Sequence, residues 1–140
     1  MAGVLTGTDA VQVFEGGADY APVFAYGTLR PGEVLADLLD VAHATDARVH
    51  GMQLWTWPGK DIFPIMVPAK HQTVIGELLW VERNENLLST VAMELRSGYD
   101  LSIVNVYTND LEEYVPAISF TMEHPPIATL PIPSNNWKVR

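Results

Sequence analysis

Two places in this 140-residue chain carry groups suited to chemistry. The first is the string Phe24-Ala25-Tyr26-Gly27-Thr28-Leu29-Arg30-Pro31-Gly32, where an apolar run stops at a glycine. When a strand runs through glycine into a tight turn, successive backbone N–H groups converge and point outward. They then cradle an anion or a carboxylate without a charged side chain. The same residues also suit a plain strand–turn–helix connection in which glycine supplies a positive φ. The second place is Glu94. Setting Leu87 at zero and advancing ~100° per residue puts Val91, Leu95 and Leu88 on one apolar face, with Glu94 at its edge. A carboxylate there is partly desolvated, which raises its pKa toward the range useful for proton transfer. Periodicity alone equally allows Glu94 to reach water or to pair with Arg96.

Other chemistries find little support. The chain has no cysteine, so disulfides, thiolate metal sites and cysteine nucleophiles are excluded. His43, His50, His71 and His124 are scattered, without the spacing of a metal site. Ser89, Ser97 and Ser102 lack the glycine context of a hydrolase nucleophile. Neither Gly16-Gly17 nor Gly27 to Gly32 leads into the Lys-Ser/Thr of a phosphate-binding loop. Trp55 and Trp57 alternate about Thr56 and read as packing or pocket wall. With 8 basic and 17 acidic residues the formal charge is −9. That acidity argues against binding a nucleic-acid backbone or an anionic membrane surface. An apolar share of 48% with 18% charged residues belongs to a folded chain. No run approaches the ~18 apolar residues of a membrane span. Residues 1–20 lack a secretory leader's pattern. The expectation is one cytoplasmic domain over residues 1–140.

The elements that must position these groups follow from pattern. Val11 to Phe14 reads as a short strand in a glycine-punctuated arm. Val23 to Tyr26 reads as a buried strand entering a turn. Val34, Leu35, Leu38, Leu39 and Ala42 have helical spacing, with Glu33 and Asp37 early, so the expectation is an amphipathic helix. A strand follows from Ala47 to Trp57. Asp61 to Pro68 holds two prolines and should cross irregularly, with a short strand at most. His71 to Val81 reads as a strand with Gly76 as a bulge or close-approach point. Asn84 or Asn86 caps a second helix that runs to about Leu95 and stops at Gly98. A strand over 98–108, a turn at Asn109-Asp110 and a returning strand over 114–122 form a hairpin. The prolines after His124 leave an extended tail, laid on the body or loose. Hairpins outnumber strand–helix–strand units, so the fold class is α+β: a small mixed or antiparallel β-barrel flanked by two helices.

In this order and spacing, Tyr26-Gly27-Thr28-Leu29-Arg30-Pro31-Gly32 resembles the opening signature of the gamma-glutamyl cyclotransferase-like family. Gly76-Glu77-Leu78-Leu79-Trp80-Val81 is similar to a second family strand, and the helix bearing Glu94 then leads to Gly98-Tyr99. The resemblance covers roughly residues 22–122. It implies release of an amine from a γ-glutamyl amide as the glutamyl part closes to 5-oxoproline, with no metal or organic cofactor. It makes Glu94 the general acid/base. It makes Tyr26, Gly27, Thr28, Leu29 and Arg30 the substrate-binding turn, and Tyr99 and Phe120 further substrate contacts. The implied partner is a small γ-glutamyl molecule. This chain departs from relatives in three ways, one being that the common aspartate at the start of the glutamate helix is absent, with Leu88-Ser89-Thr90 in that region. Asp100-Leu101-Ser102-Ile103 stands where many carry an arginine, and Phe120 stands where a tyrosine is common. Those departures leave a second reading, a binding or regulatory module on the same fold without turnover. A third is an interaction protein that docks a partner through its proline-rich tail.

Overall fold

The computed structural model describes residues 3–4, 19–58 and 63–139. Its strands are β1 (Gly3–Val4), β2 (Tyr20–Ala25), β3 (Val41–Thr56), β4 (Ile65–Glu82), β5 (Asp100–Thr108), β6 (Glu113–Thr121) and β7 (Leu130–Pro131). One α-helix, α1 (Glu85–Arg96), lies between β4 and β5. The strand order is β1-β5-β6-β2-β4-β3-β7, and β3 pairs again with β5. Five strands therefore close on themselves as a barrel, which removes the exposed edges an open sheet presents. Most pairings are antiparallel, while β6 meets β2 and β4 in parallel. The expected strand Val11 to Phe14 lies outside the described residues.

Closure depends on the long β3–β4 hairpin. Its register shifts between Val41 and His43 and again between His50 and Met52. Gly51 sits in the second shift at φ 84°, a left-handed conformation that glycine adopts without a Cβ penalty. Bulges of this kind bend a strand, so the middle of β3, at Ala47 and Arg48, can pair with β5 while its C-terminal end holds β7. Gly76 is a close-approach point and not a bulge: a Cβ there would strike the Ala25 carbonyl and the Phe24 ring.

Alternation along β2 divides the core in two. Phe24 and Tyr26 pack with Met52, Leu54, Met66, Leu78 and Trp137, whereas Val23 and Ala25 pack toward Leu87 and Val91 of α1. The tail is laid on the body. β7 pairs with β3, and Ile132 and Trp137 are buried.

Three sequence expectations are corrected. The first helix is absent: residues 33–39 make turns with one short 3-10 segment, Ala36–Leu38. No side-chain cap starts it, and pairing of Val41 with Val81 draws the following residues into β3. A segment this short cannot offset helix nucleation, and its spacing serves only to drop Leu39 into the core with Leu35 packed against it. The barrel is thus flanked by one α-helix and not two. Ile65 to Pro68, expected to be mainly irregular, begins the 18-residue strand β4. Pro68 is accommodated at an exposed position beside the second register shift.

Candidate active site

β2 delivers the Tyr26–Leu29 turn to one end of the barrel. The Arg30 amide donates to the Gly27 carbonyl at 3.0 Å, and the Leu35 amide donates to the Thr28 carbonyl at 2.9 Å. Those bonds use carbonyls. The amides of Gly27, Thr28 and Leu29 meet no acceptor among the described residues. Glycine at 27 is required for a reason other than the positive φ considered above. A Cβ would collide with the ring of Pro64, which packs directly on the turn.

α1 supplies the carboxylate. Asn84 caps the helix by accepting from the Leu87 amide at 3.2 Å, and its side chain donates to Asp40 at 2.6 Å. Asn86 also donates to Asp40, at 2.9 Å. The two amides together hold the Asp40 carboxyl below its usual pKa. With Leu87 and Val91 buried, the helix can present Glu94 in only one direction. Glu94 is half-buried, and burial pushes its pKa above the ordinary carboxyl value. No cation pairs with it among the described residues, so pairing with Arg96 is not how the chain accommodates it. At the helix end the Tyr99 amide donates to the Glu94 carbonyl at 3.2 Å, which sets Tyr99 beside the carboxylate.

Tyr26, Gly27, Thr28, Leu29, Glu94, Tyr99 and Phe120 all line one cleft. The Tyr26 hydroxyl donates to the Phe120 carbonyl at 2.6 Å, and the Tyr99 hydroxyl donates to the Pro64 carbonyl at 3.0 Å. Burial raises the pKa of both phenols, and the Glu94 charge raises both further, so they stay protonated. Arg30 is not brought to the cleft. It is 4% exposed and donates from Nε and Nη2 to Glu77, with the Nη2–Oε1 contact at 2.6 Å. Its Nη1 donates to Asn136 Oδ1 at 2.8 Å, which ties the tail to the turn. Sequence reasoning missed Phe63 and Pro64, which complete the cleft wall from the crossing segment. Nothing local marks them; only closure of the barrel brings that segment over the turn.

Beyond Glu94 the cleft adjoins a wider apolar chamber of about 270 Å³, and Phe63, Glu94 and Tyr99 line both spaces. Among the described residues, no three side chains of His, Asp or Glu gather as a metal site would require. No helix among them is long and apolar enough to cross a membrane.

This closed barrel with one helix is a known architecture. An Arabidopsis thaliana protein of known solution structure superposes with a TM-score of 0.66 at 22% identity, over 79% of this chain and 74% of its own. An AIG2-like protein from Mus musculus gives 0.62 at 19% identity, over 78% and 82%. A gamma-glutamyl cyclotransferase gives 0.53 at 20% identity, over 83% and 73%. At these identities the likeness establishes the fold alone. No curated protein matches the chain in sequence. Family membership rests on the sequence profile described as gamma-glutamyl cyclotransferase, AIG2-like, which matches residues 23–139. The chain belongs to that family, and the match runs through the proline-rich tail.

Proposed function

We propose that this protein is a γ-glutamyl cyclotransferase that releases a free amine from a γ-glutamyl amide and closes the glutamyl part to 5-oxoproline. The observation that carries this reading is that the Glu94 carboxylate and the Tyr26–Leu29 turn line one cleft. The amides of the turn, which meet no acceptor among the described residues, receive the substrate's α-carboxylate or the oxyanion that develops on its γ-carbonyl. Tyr99 and Phe120 wall the curled glutamyl chain. Holding that chain curled makes ring closure effectively a proximity reaction. Arg30 acts at one remove, by holding the turn and not by touching substrate.

The substrate's α-ammonium gives a proton to ionised Glu94, and the freed amine attacks the γ-carbonyl carbon. One C–N bond forms as the ring closes. The bond to the departing nitrogen then breaks as that nitrogen is protonated. Over the cycle two protons pass from the α-nitrogen to the departing nitrogen, which leaves as an ammonium, and Glu94 is returned ionised. A carboxyl with a raised pKa suits both directions of transfer. The chain has no cysteine, which fits a reducing compartment, and we place the activity in the cytoplasm.

The test is to incubate the protein with a panel of γ-glutamyl amides and γ-glutamyl dipeptides and to measure 5-oxoproline by mass spectrometry. Turnover is expected for at least one member, with a loss of roughly 10²–10⁴-fold in Glu94→Gln. Undiminished turnover in that variant would sink the assignment of the base. Absence of 5-oxoproline across the panel, with binding retained, would favour a module without turnover.

A further inference from the structure

A turn that must keep its amides open for a ligand cannot use them to hold itself. The amides of Gly27, Thr28 and Leu29 meet no acceptor among the described residues, so the turn is held through its carbonyls and through Arg30. Much of that hold comes from the C-terminal tail, more than a hundred residues along the chain. Asn136 Oδ1 accepts from Arg30 Nη1 at 2.8 Å, and Lys138 Nζ donates to the Pro31 carbonyl at 3.0 Å. Lys138 Nζ also lies 3.7 Å from Glu77 Oε1, on the carboxylate that takes Nε and Nη2 of the same guanidinium. The tail is built to keep these two groups in place. The Lys138 amide donates to Asn136 Oδ1 at 3.1 Å, and the Asn136 amide donates to Ser134 Oγ at 3.2 Å. Between them Trp137 is buried in the same core cluster as Phe24 and Tyr26, which lead into the turn. The Ile75 amide donates to the Asn135 carbonyl at 2.9 Å and fastens the segment to β4.

We infer that Asn136 and Lys138 are positioning residues for the substrate-binding turn. Neither lines the cleft; both act by fixing Arg30 and Pro31, so that the open amides keep one geometry. This rests on the cyclotransferase reading and adds to it a requirement for the tail. A cradle of backbone amides serves a reaction only when it is preorganised, because donors that must be ordered at each binding event give up affinity and rate. The chain after the turn adds little rigidity, since residues 33–39 make turns with one short 3-10 segment. Without Asn136, Arg30 Nη1 loses its acceptor in a part-buried setting. Without Lys138, the Pro31 carbonyl loses its donor and Glu77 loses its second cation.

The test compares the full-length protein with Asn136→Ala, with Lys138→Met, and with Asn136→Asp, which keeps an oxygen acceptor for Arg30. Ile132→Val is the control for general loosening: it trims buried tail packing and removes none of these hydrogen bonds. Two readouts are taken below the melting temperature. One is the steady-state heteronuclear NOE of the Gly27, Thr28 and Leu29 amides, which reports their fast motion. The other is kcat/KM for 5-oxoproline formation from the fastest member of the γ-glutamyl panel. Asn136→Ala should lower the NOE at the turn and reduce kcat/KM by about tenfold. Lys138→Met should reduce kcat/KM by about threefold, and it carries the test if Asn136→Ala does not fold. Asn136→Asp should stay within about twofold of the parent, because the charge-assisted bond to Arg30 is kept. Ile132→Val should melt lower and leave both readouts at parent values. An unchanged NOE at the turn overturns the inference, whether or not the protein turns over. A fallen NOE with unchanged kcat/KM overturns it too, as does a loss that Ile132→Val reproduces or Asn136→Asp fails to recover. If the parent forms no 5-oxoproline from any substrate, the cyclotransferase reading fails, and the NOE alone decides whether the tail holds the turn.

Discussion

Glu77 and Glu94 are both drawn out of water, and the fold treats them in opposite ways. Glu77 opposes Ala25 across the β2–β4 ladder and is held by Arg30, with Lys138 Nζ at 3.7 Å. Its charge is neutralised where it stands, and the same guanidinium anchors Asn136 of the tail. Glu94 lines the cleft beside the turn with no cation paired to it among the described residues, and burial raises its pKa. One carboxylate is built into the framework of the turn; the other has no ion-pair partner among the described residues. A paired, buried carboxylate is a poor proton carrier, because protonating it would strand its partner's charge. Residue type alone therefore says little about role. The partner decides.

Breaking the framework side of this contrast should have the largest effect on stability. Arg30→Met leaves Glu77 buried with, among the described residues, only the half-exposed Lys138 as a cation partner, and is expected to cost about 3–5 kcal/mol in urea unfolding. The Arg30→Met/Glu77→Met double variant should recover much of that loss, since the stranded charge goes with its partner. A single-variant loss below about 1 kcal/mol would show the pair to behave like an exposed one.

The turn between the two carboxylates offers a more local break. Gly27→Ala drives a Cβ into the Pro64 ring, whose Cδ would lie at 2.9 Å. Overpacking of this kind costs typically 1–3 kcal/mol. Because it displaces the amides of the turn, 5-oxoproline formation should fall by more than the loss of folded protein accounts for. Equal losses in the two measurements would remove the turn from the site.

The smallest effect sharpens the Glu94 side. Its folded pKa is raised above the ordinary value of 4.5. Its favourable contribution to stability is therefore present below pH 4.5 and is lost as pH rises through the raised folded value. At neutral pH the ionised, half-buried group is a cost, so Glu94→Gln should melt slightly above the parent protein at pH 7. That advantage should fade as pH falls below the ordinary carboxyl range. The acid limb of kcat/KM should likewise have its midpoint above 4.5. A variant that melts lower at pH 7 would mean that Glu94 has a stabilising partner.

Much of the local structure was legible in the chain itself. Asn84, the apolar spacing of Leu87 and Val91 and the stop at Gly98 define α1, because caps and helical periodicity act within a few residues. The β5–β6 hairpin was legible for the same reason, as was the strand that runs into Gly27. The run from Val34 to Ala42 misled: helical spacing is also satisfied by turns that drop Leu39 into a core, and only the barrel's claim on Val41 separates the two. In β4, proline content argued for irregularity, yet the long hairpin partner and an exposed setting for Pro68 extended the strand.

By itself the sequence determined which groups are available to a site: a glutamate at the edge of an apolar helix face, a glycine turn after a strand, and no cysteine. Tertiary structure decided which groups meet. It sent Arg30 away from the cleft and into Glu77, set Pro64 against Gly27, and opened an apolar chamber on the far side of Glu94. Those outcomes depend on barrel closure between residues dozens of positions apart. No local periodicity reports such distances, because pairing across a closed sheet is fixed by the fit of all its strands at once.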